Sequence, residues 1–150
     1  MNDNTDYPRE DAANRDVEDG IPRALLDHIQ HPRNPGRMAH ADGHGTVTGS
    51  CGDTIEMFVC VRGDRIVKSS FDCRGCAYTL ACASVASEII VGKTFGQARR
   101  DVSPDAIAAT LGGLPEDHLH CASLATHSVH EALDDAMKTA REPWRKSFRH

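Results

Sequence analysis

Between Cys76 and Val91 the apolar positions do not form a stripe. Ala77, Leu80, Ala81, Ala83, Val85, Ala86, Ile89 and Ile90 cover nearly the whole circumference of a helix. Such a helix has no face to give to water. The rest of the chain must enclose it, and its small residues let neighbouring elements come close.

The enclosure has to come from both sides in sequence. Upstream, Thr54–Val61 alternates, with Ile55, Met57, Val59 and Val61 on one face. Arg62–Asp64 contains a glycine and reads as a hairpin turn, and Arg65–Asp72 reads as the next strand. Residues 37–50 are a Gly- and His-rich loop with a short strand expected around Thr46–Thr48. A short helix is expected to open at Ile21, with Pro22 in its first turn and Leu25, Leu26 and Ile29 as its stripe. It must stop at HPRNPG, because Pro32, Pro35 and Gly36 cannot continue it.

Downstream, Gly92 ends the buried helix. Ser103-Pro104-Asp105 marks a start that runs to Gly112-Gly113. A last long helix begins near His120–Ser123, with Leu124, Ala125, Val129, Ala132, Leu133, Ala136, Met137 and Ala140 as its stripe. Helix, strands, then helices predict an α+β fold: a small three-stranded antiparallel sheet with helices packed on one face.

The net charge of −5 describes a tail rather than a domain. Residues 1–20 hold seven acids and two arginines, and the rest of the chain balances at 15 of each sign. This predicts a disordered acidic tail at 1–20, one domain at 21–142 and a basic C-terminal tail at 143–150. A neutral body offers no electrostatic case for nucleic acid. No apolar stretch approaches the ~20 residues that span a bilayer. The polar N-terminus resembles neither a secretory signal nor a transit peptide, so a reducing, cytoplasmic setting without membrane contact is expected.

Six cysteines in such a setting point to metal binding or thiol chemistry rather than disulfides. In GSCGD, Cys51 and Asp53 are two apart, and extended backbone would turn both to one side. An ordinary turn with a stray cysteine reads equally well there. In FDCRGCAYTLACA, Cys76 stands at the start of the buried helix, where dipole and free amides favour a thiolate. In LPEDHLHCASLA, His120 and Cys121 open the last helix, so that the same dipole is expected to favour the Cys121 thiolate, and one of the pair can ligate while the other supports or exchanges; His118 reads as a bystander. Three thiols with one N or O donor would suit zinc. Three thiols helped by Asp53 or His120 would hold an iron–sulfur cluster less firmly than four cysteines.

The other cysteines read more plainly. Cys60 lies on the polar face of a strand, and Cys82 is a small core residue. Cys73 forms C-x-x-C with Cys76 and is open to three readings: spare ligand, sulfur relay or half of a redox pair. His28, His31, His40, His44, His127, His130 and His150 read as solvated. Two rival functions follow from the same residues. A thiol–disulfide oxidoreductase on Cys73 and Cys76 leaves Cys51 and Cys121 unexplained. A purely structural zinc protein leaves more donors than one zinc needs.

Four motifs in order resemble the IscU/NifU family of iron–sulfur cluster assembly scaffolds. DHIQHPRNPG at 27–36 resembles its opening D-H-x-x-x-P-R-N-x-G; GSCGD, RGCA and LHC resemble its three cysteine motifs. The resemblance spans about 21–141 and implies a SufE/NifU-like fold. It places Cys51, Cys76 and Cys121 on the cluster ligands, Asp53 on the aspartate that keeps the cluster labile, and His120 on the histidine before the third cysteine. It implies that a cysteine desulfurase delivers persulfide sulfur to Cys121. It implies too that frataxin-like and ferredoxin partners bring iron and electrons, that a [2Fe–2S] cluster passes to apoproteins, and that zinc can take the same site. The step from Cys76 to Cys121 and the presence of His120 resemble the IscU branch rather than the SufU branch. That branch's L-P-P-V-K segment, read by an Hsp70-type chaperone, is LPEDH here, acidic where the family is basic, so chaperone recognition does not carry over.

Overall fold

The computed structural model describes residues 17–18 and 20–144. Most of the expected acidic tail, and the basic end from Arg145 onward, lie outside the described residues. Strand β1 (Val17–Glu18) pairs antiparallel with β2 (Ile21–Pro22), and α1 follows at Arg23–Gln30. Pro22 is therefore not in the first turn. It is the extended N-cap, with ψ 142°, because it is paired to Val17 and sits against Gly112.

The main sheet has the order β3 (Gly43–Thr48), β4 (Thr54–Arg62), β5 (Arg65–Arg74), all antiparallel. It lacks the parallel β-α-β unit that the oxidoreductase alternative would need. Strand β3 starts earlier than its loop-like composition suggests, and its glycines are the reason. A Cβ on Gly43 would lie 2.2 Å from the Ala132 carbonyl oxygen, and one on Gly45 would lie 2.6 Å from the Glu131 Cβ. The last helix thus rests directly on strand backbone. Ile55, Met57 and Val59 point into the core as expected. A bulge opposite Cys60/Val61 resets β5, so that Ile66 and Ser69 both face inward.

Then come α2 (Ala77–Ile90), α3 (Phe95–Asp101), α4 (Pro104–Thr110), a 3-10 turn (Glu116–His118) and α5 (Leu119–Arg141). Helix α3 was not expected; its signal is the capping box between Thr94 and Gln97. Helix α2 is buried almost all round, as its composition requires. It packs with α5 on one face of the sheet, giving the expected α+β layers. The α5 stripe differs at its end: Met137 and Ala140 are exposed, and Thr139 takes the inward position. On the other sheet face, Phe58 is covered by the His44 ring, 4.8 Å between centroids, and by the Arg37 guanidinium at 5.2 Å. No helix among the described residues is long and apolar enough to cross a membrane.

The segment 27–36 clamps α1 to α2. The buried Ser84 hydroxyl lies 2.8 Å from His28 Nδ1 and accepts the Arg33 amide at 2.8 Å. Asn34 Nδ2 donates to Ser87 Oγ at 3.2 Å. Asn34, in the left-handed region at φ 63°, and Gly36 then exchange backbone bonds with Phe71. His28 is therefore not solvated: it is 6% exposed, and burial pushes its pKa down. His44 and His130 are half-buried rather than solvated, while His31, His40 and His127 are exposed. His150 lies outside the described residues.

Candidate metal centre

Three loops meet at one end of the sheet, where β3 turns into β4, β5 gives way to α2, and the 3-10 turn enters α5. GSCGD is the five-residue loop of the β3–β4 hairpin. It is closed by the Thr48–Thr54 pair and by a bond from the Gly49 amide to the Asp53 carbonyl. The loop is not extended, since Gly52 has φ 93°. A turn, rather than alternation, brings the exposed Cys51 thiol to the Asp53 carboxylate.

Cys76 is the N-cap of α2, with extended backbone and no side-chain capping bond, so its sulfur is not spent on the helix. Thr79 lies three residues on, and i and i+3 share a helix face. Its hydroxyl is within 2.5 Å of Asp53 Oδ2, 3.4 Å of Cys76 Sγ and 3.3 Å of Cys121 Sγ. It has one proton for three partners, and the short contact to the carboxylate takes it. That bond, followed by the Cys76 amide and the Cys76 and Cys51 thiols, holds the Asp53 pKa below the usual carboxylate range against the opposing effect of burial. Gly75 makes the approach possible, because a Cβ there would lie 2.5 Å from Asp53 Cγ. The residue reading missed Thr79; its i+3 spacing from Cys76 was the available signal.

Cys121 sits in the first turn of α5 and is fully buried. The expected lowering of its pKa by the helix dipole is not found. Burial leads and pushes the thiol up to about 11, while Thr79 pulls the other way. Burial also pushes Cys73 up to about 11, with the charges of Asp53 and Cys76 adding to it. Cys73 therefore belongs to the same neighbourhood, on β5 opposite Ile55. Cys82 is buried in the core, and burial raises its pKa strongly. Cys60 is half-buried.

The two histidines of this segment divide differently from expectation. His120 is exposed, with Nε2 at 3.8 Å from Cys121 Sγ. His118, read as a bystander, joins the sulfurs: one ring nitrogen and the Cys76 and Cys121 sulfurs all lie within 4.8 Å of one another. Its ring stacks on Tyr78 at 4.0 Å, and its Nδ1 is enclosed with no partner among the described residues. Leaving such an atom unpaired costs about 1–3 kcal/mol. A tetrahedral zinc, with bonds of about 2.3 Å to sulfur and about 2.0–2.1 Å to nitrogen, wants its ligand atoms roughly 3.5–3.8 Å apart. The donor set fits zinc after a contraction of roughly 1 Å.

The NifU-like N-terminal domain model matches residues 22–142. The chain belongs to that family. Among curated relatives, the iron–sulfur cluster assembly scaffold protein IscU 1 of Archaeoglobus fulgidus is 40% identical over 112 residues, covering 74% of this chain and 72% of its own. The scaffold protein IscU of Aquifex aeolicus is 34% identical over 121 residues, covering 78% and 76%. Both carry the name of the branch that the cysteine spacing and His120 resembled. Among solved structures, the N-terminal part of a NifU-like protein from Brucella abortus superposes with a TM-score of 0.61 at 18% identity, covering 77% of this chain and 93% of that one, and so shares the fold. Within the family frame, the two arms of the centre are the hairpin loop 49–53 and the segment 114–121. They converge on the N-terminus of α2.

Proposed function

We propose that this chain is a scaffold on which a [2Fe–2S] cluster is assembled and from which it is passed to recipient apoproteins. The observation that carries the reading is the convergence of Asp53, Cys76 and Cys121 on Thr79, with Cys51 at the Asp53 carboxylate. The names of its relatives point the same way. The cluster is cargo, so the protein acts as a carrier rather than as an enzyme.

Cys51, Cys76 and Cys121 hold the cargo, and His120 stands beside Cys121 as an exchangeable donor. Asp53 keeps the site labile: a hard carboxylate binds iron less firmly than a thiolate. Sulfur arrives on a cysteine desulfurase. The Cys121 thiolate attacks the outer sulfur of the donor's persulfide, the donor's cysteine leaves as thiolate, and Cys121 carries the persulfide. Two electrons from a ferredoxin-type donor then cleave that S–S bond, releasing hydrosulfide and restoring the Cys121 thiolate. Iron comes from a frataxin-like donor. Cys121 is enclosed, so segment 115–120, mostly exposed, has to shift to admit the donor. With its acidic LPEDH sequence, that segment is not a recognition site for an Hsp70-type chaperone in this reading. The setting is a reducing cytoplasm, without nucleic acid or membrane as partner, and zinc is the alternative occupant.

Anaerobic reconstitution with ferrous iron, cysteine and a desulfurase, followed by absorption and Mössbauer spectroscopy, tests the reading. A [2Fe–2S] spectrum is expected in the wild type and is lost or altered in Cys51→Ser, Cys76→Ser and Cys121→Ser. Asp53→Ala should prolong the life of the cluster. No cluster in the wild type, or unaltered spectra in all three serine variants, would reject the scaffold.

A further inference from the structure

We propose that Thr79 is a positioning residue for release: its hydroxyl gives the Asp53 carboxylate a second place to bind, beside the sulfurs, and so competes with iron for it. The inference deepens the scaffold reading and rests on it. It names the residue through which Asp53 makes the cargo labile.

The two groups come from different elements. Asp53 closes a hairpin loop, while Thr79 lies in the first turn of α2, a helix buried almost all round. Thr79 is fully buried, and its hydroxyl donates to Asp53 Oδ2 at 2.5 Å. The Cys76 amide donates to the same oxygen at 3.4 Å. The Thr79 oxygen is itself 3.4 Å from Cys76 Sγ and 3.3 Å from Cys121 Sγ. The carboxylate is thus parked next to both sulfurs without being gathered with them. Among the described residues, the ligand atoms that lie within 4.8 Å of one another include the two sulfurs and not Asp53.

An oxygen that accepts from Thr79 and Cys76 has to give up part of that bonding to take iron. In the other direction, a carboxylate that leaves iron in an enclosed site costs free energy unless a donor receives it. The Thr79 hydroxyl and the Cys76 amide are those donors, already in place. Asp53 can therefore exchange iron for Thr79 without passing through an unpaired state, and each exchange opens one iron position to a recipient's ligand. Removing either partner slows this route. Without Asp53 no carboxylate leaves, and without the hydroxyl the carboxylate loses the closer of its two donors. Release should therefore slow in both cases, and the two effects should not add.

The test reconstitutes a cluster on the full chain anaerobically, adds an excess of an iron chelator and follows the loss of visible absorption. Thr79→Val keeps the shape of the side chain and removes the hydroxyl. It should slow the loss about 10-fold, the ratio that matches the lower end of what a hydrogen bond to a charged group contributes. Thr79→Ser keeps the hydroxyl and loses the methyl, and should release at the wild-type rate. A packing role reverses that order, because valine fills the site better than serine. In an Asp53→Ala chain, whose cluster is already longer-lived, Thr79→Val should add nothing. Carbon-detected NMR of the metal-free chain reads the same contact without any cargo: the Asp53 carboxyl resonance should move in Thr79→Val and stay in Thr79→Ser. Circular dichroism checks folding. If Thr79→Val is not folded, Thr79→Ala removes the same hydroxyl and carries the same expectation. Release at the wild-type rate or faster in the folded variant overturns the inference. So does a serine variant that behaves like valine, a further slowing of Asp53→Ala by Thr79→Val, or an unmoved Asp53 resonance. A wild type that holds a cluster and gives any of these results sinks this inference alone. A wild type that builds no cluster sinks the scaffold reading, and the release role with it.

Discussion

Helix α2 serves two polar sites that differ in how completely their groups are matched. Along its middle, Ser84 and Ser87 hold the 27–36 segment, where the Ser84 hydroxyl, the His28 ring and the Arg33 amide meet at 2.8 Å and the backbone of Asn34 and Gly36 is paired to Phe71. At its N-terminus, a single Thr79 hydroxyl serves Asp53, Cys76 and Cys121, and the Nδ1 of His118 has no partner among the described residues. At the first site each of these groups has a partner, and a satisfied buried network fixes one structure. The second gathers its donors on the Asp53 carboxylate and leaves the His118 ring nitrogen unpaired among the described residues, so sulfur, carboxylate and imidazole stand together where an incoming cation can bind. One helix therefore anchors the fold at one site and presents an unsatisfied centre at the other.

The comparison predicts that stability is concentrated in the clamp. Ser84→Ala should produce the largest loss of stability among the substitutions considered. It strands the His28 ring and the Arg33 amide in a site where Ser84 itself is fully buried. At about 1–3 kcal/mol for each buried group left unpaired, a loss of roughly 2–4 kcal/mol is expected. For a domain of this size that lowers Tm by about 10 °C, measurable by calorimetry. Co2+ affinity of the folded variant should stay at the wild-type value. A Tm within error of wild type would break the comparison at its stronger end.

The clamp also shows what was and was not legible in the chain. PRNPG announces a stop, and it is one. That His28 would be buried was not legible, because its partner Ser84 lies 56 residues away on a helix whose composition says only that it is enclosed. Strand β4 was readable because its alternation is local. Of strand β3 only the Thr46–Thr48 end was readable, because Gly43 and Gly45 carry no hydrophobic signal and matter only through α5, which packs on them. At the centre, Cys51, Asp53, Cys76 and Cys121 were readable from motif and position, and the structure gathers them at one end of the sheet. The nearness of His118 to the Cys76 and Cys121 sulfurs was less legible than the adjacent His120–Cys121 pair, because it depends on the 3-10 turn that leads into α5. The Cys121 pKa was misjudged for a general reason: a helix dipole acts at any helix start, but whether burial outweighs it depends on tertiary enclosure.

A smaller effect follows from the titration of His28. Its pKa is lowered in the folded chain, chiefly by burial and then by Arg33, against the charges of Glu88 and Asp27. The unfolded chain, with a histidine pKa near 6.5, therefore binds the proton more readily. Stability should rise with pH in the window from the folded value up to about 6.5 and lose its histidine contribution as pH falls through that window. Denaturant melts between pH 5 and 8 test this by comparing wild type with His28→Gln. The difference between their slopes below about 6.5 is the His28 contribution, and parallel slopes would remove the buried, neutral ring from the account of the clamp.

The smallest stability effect is expected at the centre, from Gly75→Ala. The added Cβ would lie 2.5 Å from Asp53 Cγ, so the carboxylate must move. It can, because it belongs to a loop whose Cys51 is exposed. Gly75 is also outside the left-handed region, so alanine suits its backbone and favours folding by about 0.4–1 kcal/mol through the unfolded chain. The two effects oppose each other, and a net change within about 1 kcal/mol follows. The local consequence is clearer. Displaced from Thr79, Asp53 loses the bond that does most to lower its pKa, and its titration should move up toward the ordinary carboxylate range. Carbon-detected NMR of the side-chain carboxyl can follow that shift, with Thr79→Val as a second route to the same loss. If Gly75→Ala instead destabilised the protein as much as Ser84→Ala, the hairpin loop would be as tightly fixed as the clamp. The contrast between a matched anchor and an unsatisfied centre on one helix would then fail.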